Sequence, residues 1–75
     1  MARRPGSPTH GKRYVGNWNK MEVHDLDSEE LAGNRCQIDE IIAAGHAVTF
    51  EPDTLEQAHL EGYDNCHYCI GDSLR

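Results

Sequence analysis

The sequence has little of the material from which a self-sufficient core is built. Apolar residues make up 37% of its 75 residues, with a single phenylalanine and a single tryptophan. A chain of this size buries only about 60% of the surface that its unfolded form exposes, so it usually needs an added stabilising element. The length also excludes a two-domain enzyme, because a second independent core would not fit. We therefore expect a metal ion, disulfides or a partner to contribute to stability.

Long hydrophobic runs are absent as well. No stretch approaches the roughly 20 consecutive apolar residues that span a bilayer. Residues 1–44 contain no apolar signal core followed by a small-residue cleavage site. These absences predict a soluble intracellular protein with no membrane partner.

Basic residues are almost missing from most of the chain. Residues 1–20 carry five basic side chains and no acid, whereas residues 21–75 carry all 13 acids against two arginines, which leaves −11. Because an acidic body repels phosphate, nucleic-acid binding by the folded part is disfavoured.

The first twelve residues differ in composition from the rest. They contain two prolines, two glycines and almost no aliphatic side chains, which predicts a flexible basic arm over residues 1–12 and a folded domain over residues 13–75. A disordered tail and an extended arm that orders on a partner both fit this composition.

The periodicity of the remaining chain begins as a β pattern. Short β-prone segments at residues 14–15 and 21–23 are separated by residues 16–19, where glycine and asparagine favour a turn, so we expect a β-hairpin. The acidic segment that follows, up to residue 33, is expected to be an exposed loop, with one helical turn as an alternative.

Two helices and a third strand are expected after this loop. Asn34 and Gln37 have the form of a capping box, and the apolar residues behind them predict a helix over residues 35–44 that stops at Gly45. Alternation over residues 46–50 predicts a strand. A second capping box at residues 54–57 predicts a helix that ends at Gly62. The pattern is that of a small α+β fold: a hairpin, two short helices and a third strand, closing on a C-x-x-C knuckle.

The cysteines point to a metal site. Three cysteines would leave one thiol over if disulfides formed, and Cys66 and Cys69 have the C-x-x-C spacing with which two thiolates bind one ion. Cys36, in the first turn of the first predicted helix, would supply a third thiolate. A closed structural zinc site has four nitrogen or sulfur ligands, so we expect one histidine to complete it.

Five histidines compete for that position. His10 lies in the arm and His67 lies inside the C-x-x-C turn, so neither is well placed. His24 is favoured because it ends a predicted strand, which is a rigid position for a ligand. His46 and His59 remain alternatives.

The order of these motifs resembles the Ada-type metal-binding domain. The resemblance covers residues 14–71 and rests on residues 14–17, 20–24, 48–50 and 56–58 together with a closing Gly-Tyr-x-x-Cys-x-x-Cys. That family includes the zinc domain of the Ada DNA-repair methyltransferase, shorter domains appended to bacterial nucleases, and small stand-alone proteins. The resemblance implies a structural Zn²⁺ ion and the following ligands: His24, Cys36, Cys66 and Cys69.

Two departures from the family bear on function. Eleven residues, 25–35, separate His24 from Cys36 where the family has only a few, so this acidic segment resembles an insertion. At the position of His24 the repair protein has a cysteine that accepts a methyl group, and an imidazole is a poor acceptor beside a thiolate. The resemblance therefore implies no repair chemistry, and we expect no enzyme activity.

These observations predict a non-enzymatic zinc-binding module that docks on a larger protein assembly, such as a phage capsid or connector, or on copies of itself. We expect it in the cytoplasm of a bacterial or phage-infected cell, with incorporation into a virion as an alternative. Partner contacts are expected from the arm, the hairpin turn and the acidic body, specifically from Arg3, Arg4, Lys12, Arg13 and Trp18.

Two other functions remain open. One is a nucleic-acid accessory protein that binds through the arm, with Tyr14 and Trp18 available for stacking on bases. The other is a zinc-thiolate alkyl acceptor or redox switch.

Overall fold

A four-stranded mixed sheet with two short helices organises the chain, so the predicted α+β class is confirmed. The computed structural model describes residues 4, 6, 9–28 and 36–71. In chain order the elements are β1 (Tyr14–Asn17), β2 (Glu22–Asp25), a 3-10 turn (Leu26–Ser28), α1 (Ile38–Ala43), β3 (Ala47–Val48), α2 (Leu55–Leu60) and β4 (Asp64–Asn65).

The sheet has the strand order β3-β1-β2-β4. β1 pairs antiparallel with both β2 and β3, which confirms the predicted hairpin and the predicted third strand. The turn lies two residues later than expected, at residues 18–21, because Gly16 and Asn17 are held in β1 by their pairing with β2 and β3. β4 was not predicted: it pairs parallel with β2, with Val23 opposite Asn65.

Gly16 lies where the central strand meets the core most closely. A Cβ atom at this position would lie 2.8 Å from side-chain atoms of Phe50 and Val48 and 2.9 Å from Tyr63. Only a residue without a side chain lets these three groups pack against β1, since real Cβ atoms essentially never approach so closely.

α1 begins later than expected. Gln37 is the N-cap residue, in the left-handed conformation (φ 53°, ψ 46°), and makes no capping hydrogen bond with its side chain. The predicted capping box is therefore wrong at Gln37, which precedes the helix instead of lying in its first turn, and Asn34 falls outside the described residues. The end of the helix is as predicted, since Gly45 adopts φ 77° and donates its N–H to the carbonyl of Ile42.

α2 follows the sequence prediction at both ends. The Thr54 hydroxyl oxygen accepts a hydrogen bond from the Gln57 N–H at 3.1 Å, which is the predicted cap. Gly62, with φ 94°, follows the helix, and the Tyr63 N–H then bonds to the Ala58 carbonyl. With six residues each, neither helix of the described chain is long or apolar enough to cross a membrane.

The buried side chains form two clusters, and the larger one depends on cysteine. The smaller cluster consists of Val23, Phe50 and Ala58. In the larger cluster three of the seven buried members are the cysteines, alongside Val15, Leu26, Ile38 and Ile41. A large part of this core is therefore made of thiol groups, which pack as small apolar residues but become polar on ionisation.

The described start of the acidic segment, residues 25–28, is not wholly the exposed loop that its acidity suggested, and residues 29–33 of that prediction lie outside the described residues. Leu26 is fully buried and Asp25 is 6% exposed. Leu26 fills part of the larger cluster, and Asp25 is paired, so the start of this segment belongs to the folded body.

The described part of the predicted arm also contacts the body. Thr9 is buried, and its hydroxyl donates to the Arg4 carbonyl at 2.6 Å. Arg4 pairs with Asp39 at 3.1 Å and Lys12 with Glu51 at 2.8 Å. The flexibility of residues 1–12 stays a prediction.

Candidate metal centre

Four side chains from separate parts of the chain meet at one end of the sheet. His24 lies on β2, Cys36 precedes α1, Cys66 follows β4, and Cys69 ends the turn that Cys66 begins. All four are buried, with exposures between 2% and 5%. One ligand atom from each lies within 4.8 Å of the others, so the four predicted ligands are brought together.

The separations suit a single tetrahedral ion. Cys36 Sγ lies 3.6 Å from Cys66 Sγ, and Cys69 Sγ lies 3.8 Å from His24 Nδ1. Thiolates that bind zinc at about 2.3 Å in a tetrahedron lie about 3.8 Å apart. The sulfurs are much too far apart for a disulfide, and all three cysteines are free.

The surroundings of the two ring nitrogens of His24 indicate whether a cation fits this donor set. Its ring is 3% exposed, and Nε2 is buried without a hydrogen-bond partner among the described residues. Nδ1 lies 3.8 Å from Cys69 Sγ. Buried polar atoms are normally satisfied, so an imidazole placed in this way indicates a missing strong interaction, and a metal ion supplies one. Three sulfurs and one ring nitrogen are the donor set of structural zinc.

The pKa values of the three thiols are shifted in different directions. Hydrogen bonds from Cys36 and then Cys69 lower the pKa of Cys66 well below its usual range, so Cys66 is the sulfur that ionises first. The hydrogen bonds to Cys66 and Cys69, followed by burial, raise the pKa of Cys36 far above its usual range. For Cys69 the hydrogen bond with Cys36 lowers the pKa, but that with Cys66 and burial outweigh it and raise the pKa to about 12. A cation must therefore displace protons from Cys36 and Cys69.

The sheet decides the position of Cys66. β4 runs parallel to β2, and the Cys66 N–H donates to the carbonyl of Val23 at 2.9 Å. Cys66 is thus fixed beside His24, the next residue of β2. The N–H groups of Ile70 and Gly71 then both bond to the Cys66 carbonyl, which closes the turn and directs Cys69 to the same point.

A second group of residues contacts the cluster from outside. The Asp25 N–H donates to Cys69 Sγ at 3.4 Å. The Asp25 carboxylate in turn accepts two hydrogen bonds from the Arg13 guanidinium, both at 2.9 Å. Sequence reasoning missed this role of Arg13 and Asp25, and the only local signal was that Asp25 directly follows His24.

A cleft of about 260 Å³ borders the cluster. His24, Cys36 and Cys66 line it, together with polar side chains of β2 and the hairpin turn. Cys69 is not among the lining residues. The cluster is therefore approached from solvent on the side of Cys36 and Cys66.

The remaining histidines have other surroundings. His59 Nε2 lies 2.6 Å from the Asn65 Oδ1 atom, next to Cys66 but directed at the amide. The His46 ring packs edge-on against Trp18, with centroids 4.9 Å apart. His10 and His67 are exposed. Among the described residues, only His24 lies with the cysteines.

Of the predicted partner-binding residues that the structure describes, Arg13 is linked to the cluster through Asp25. Arg4, Lys12 and Arg13 each pair with an acid of the same chain. Trp18 is 49% exposed, and its indole N–H donates to the Gly45 carbonyl at 3.2 Å. Arg3 falls outside the described residues. Their contact with a partner stays a prediction.

Comparison with known proteins gives no relative: no family model, curated protein or solved structure matches the chain.

Proposed function

We propose that this chain is a small zinc-binding structural module without enzyme activity, which docks on a larger protein assembly. The observation that carries the proposal is the buried cluster of His24, Cys36, Cys66 and Cys69, with its ligand atoms within 4.8 Å of one another. When bound, zinc supplies the electrostatic attraction that joins β2, the start of α1 and the C-x-x-C turn.

The donor set favours a structural role over a catalytic one. Catalytic zinc sites usually have three protein ligands and leave the fourth position to water or substrate. Here four protein donors are available for a tetrahedral ion, and each is at most 5% exposed. His24 also stands where a reactive thiolate would be needed for methyl transfer, and imidazole is the weaker nucleophile.

The composition of the core explains why this chain needs the ion. Three of the seven buried residues in the larger cluster are cysteines, which add little hydrophobic stabilisation compared with leucine or phenylalanine. Zinc ligation in small domains is worth about 10–16 kcal/mol of folding free energy. The ion thus substitutes for apolar side chains that the sequence lacks.

We also propose a relation to the Ada-type metal-binding domain. Its support is the order of the motifs in the sequence together with the meeting of the four residues that the resemblance implied. The hairpin, the two helices and the closing turn occur in the expected order.

The docking surface we propose includes the hairpin turn and the C-x-x-C turn. Trp18 and Tyr68 are each about half exposed, and partly exposed aromatic residues are enriched at protein interfaces. The proposed partner is a protein assembly, for which a phage capsid is an example, or another copy of the chain. Three basic residues near the N-terminus, Arg4, Lys12 and Arg13, are engaged by acids of the same chain, which favours this partner over nucleic acid.

Native mass spectrometry of the purified full chain tests the metal centre. We expect one zinc ion per chain, lost together with the folded charge-state distribution when a chelator is added. A protein that is isolated without metal, takes up none, and keeps its compact distribution would contradict the proposal.

Photo-crosslinking in the source cell tests the docking surface. A photoreactive residue replacing Trp18 should form defined adducts with a protein partner, whereas the same residue at Ala43, an exposed position on α1, serves as the matched control. Adducts at neither position, or equally at both, would argue against this surface.

A further inference from the structure

The Asp25 carboxylate is buried and fully engaged, which is unusual for an acid beside a cluster of thiols. It is 6% exposed and accepts hydrogen bonds from Arg13 Nε and Nη2 at 2.9 Å, from the Asp27 N–H at 3.0 Å and from the Ser28 hydroxyl at 3.3 Å. A carboxylate with this many partners has a single orientation. The side chain of residue 25 therefore adds to its pairing with Tyr14 in fixing the backbone at the end of β2.

Arg13 is held just as firmly. Its backbone N–H donates to Asp53 Oδ2 at 2.7 Å, and its carbonyl accepts from the Leu26 N–H at 2.8 Å. The guanidinium forms the two-pronged contact with Asp25 that a lysine cannot reproduce. The backbone and the side chain of Arg13 thus hold residues 25 and 26 from two directions.

The ion pair is linked to the cluster through the backbone N–H group of Asp25. The Asp25 N–H donates to Cys69 Sγ at 3.4 Å and also lies next to His24 along β2. Zn²⁺ with three thiolates has a net charge of −1, and a buried negative charge is stabilised by N–H dipoles directed at it. The hydrogen bond from the Asp25 N–H is a contact of this kind, and the ion pair fixes its geometry.

We propose that Arg13 and Asp25 are positioning residues of the metal centre, because their two-pronged ion pair, in which the carboxylate is buried, holds the Asp25 N–H against the Cys69 thiolate and so raises the affinity for zinc. The inference rests on the proposed zinc site. It assigns Arg13 a contact within the module, in place of the partner contact that its basic character suggested.

The direct readout is nuclear magnetic resonance of the full chain loaded with ¹¹³Cd²⁺. Cadmium takes the zinc position on sulfur ligands, and an N–H···S hydrogen bond transmits scalar coupling from the metal to the amide proton. We expect such coupling at Asp25 in the wild-type protein. We expect it to be lost or strongly reduced in Arg13→Gln, because the side chain no longer fixes residue 25.

Zinc affinity, measured by competition with a chromophoric chelator, is the second readout. Loss of a group that supports a metal ligand typically weakens binding about 10- to 100-fold, and we expect Arg13→Gln and Asp25→Asn to fall in this range. Arg13→Lys keeps the positive charge but not the two-pronged contact with the carboxylate, so its zinc affinity should lie between those of the wild-type protein and Arg13→Gln. Lys12→Gln is the matched control: it removes the same charge one residue earlier, where the partner is the exposed Glu51, and should change affinity less than twofold.

The possible outcomes separate the inference from the proposed function. If the wild-type protein binds neither zinc nor cadmium, both fail. If it binds them but Arg13→Gln has the same zinc affinity as Lys12→Gln, the positioning role is wrong and the zinc site stands. If Arg13→Gln loses affinity while the coupling at Asp25 is unchanged, the ion pair acts only on global stability, which also overturns the inference. Should Asp25→Asn not fold, the two Arg13 variants decide alone.

Discussion

Removal of the metal ion should unfold this protein. The perturbation is incubation of the zinc-loaded chain with excess chelator at neutral pH. His24 and the three cysteines would then be buried around each other without the ion that joins them. The sulfurs then regain protons, and the buried His24 ring is left without the ion.

The extent of unfolding follows from comparing the stability of a domain of this size with the contribution of structural zinc. A domain is stable by about 0.05–0.15 kcal/mol per residue, which is about 4–11 kcal/mol for a chain of this length. Structural zinc contributes about 10–16 kcal/mol of apparent folding free energy. The zinc contribution is therefore about as large as the whole expected stability or larger. Little else can replace it, since three of the ten buried apolar residues of the described chain are the cysteines themselves. We therefore expect an unfolded metal-free chain, not a weakened fold.

Circular dichroism and tryptophan fluorescence measure this transition independently. Trp18 joins the hairpin turn to the end of α1, through the hydrogen bond to Gly45 and the contact with His46, so its emission reports the tertiary fold. Both signals should change together on chelation and return on addition of zinc. The reasoning is refuted if the metal-free chain still melts cooperatively within a few degrees of the zinc-loaded chain.

Three further predictions concern the core, the fourth ligand and the protons. Gly16→Ala should lower the free energy of unfolding by about 1–3 kcal/mol in urea titrations, because its Cβ would overlap core side chains; an unchanged midpoint would contradict the packing described here. His24→Ala should weaken zinc binding at least 100-fold, whereas His59→Ala should cost less than tenfold, since His59 bonds only to Asn65; equal losses would mean that the ligand is misassigned. Because the metal-free chain is expected to be unfolded, its three thiols have ordinary pKa values of about 8.5 and are mostly protonated at neutral pH. Zinc binding should therefore release nearly three protons, and affinity should rise with pH by up to about 1,000-fold per unit below that pKa; calorimetry in buffers of different ionisation enthalpy counts these protons, and a release near zero would be the contrary result.

Features that depend on neighbouring residues were predictable from the sequence. The cap at Thr54 is a contact between residues three apart, and the stops at Gly45 and Gly62 need only the positive φ that glycine tolerates. The hairpin also depends on local pairing, although its turn lies two residues later than the glycine and asparagine indicated.

The start of α1 shows where such reasoning ends. The spacing of Asn34 and Gln37 fits a capping box, yet Gln37 takes the left-handed conformation directly after Cys36. The neighbouring Cys36 is buried in the larger cluster, and the side chain of Gln37 makes no capping hydrogen bond, so the local spacing did not predict this helix start.

The side chains that can bind a metal ion are recognisable from residue type and order alone: the C-x-x-C spacing, an odd third cysteine and a histidine at a predicted strand end. Only the tertiary structure decided how they meet. The parallel pairing of β4 with β2 sets Cys66 beside His24, and the Arg13–Asp25 pair sets an N–H group against Cys69. These contacts join residues 12 to 44 positions apart, and their formation depends on the packing of the whole chain, which no local pattern encodes.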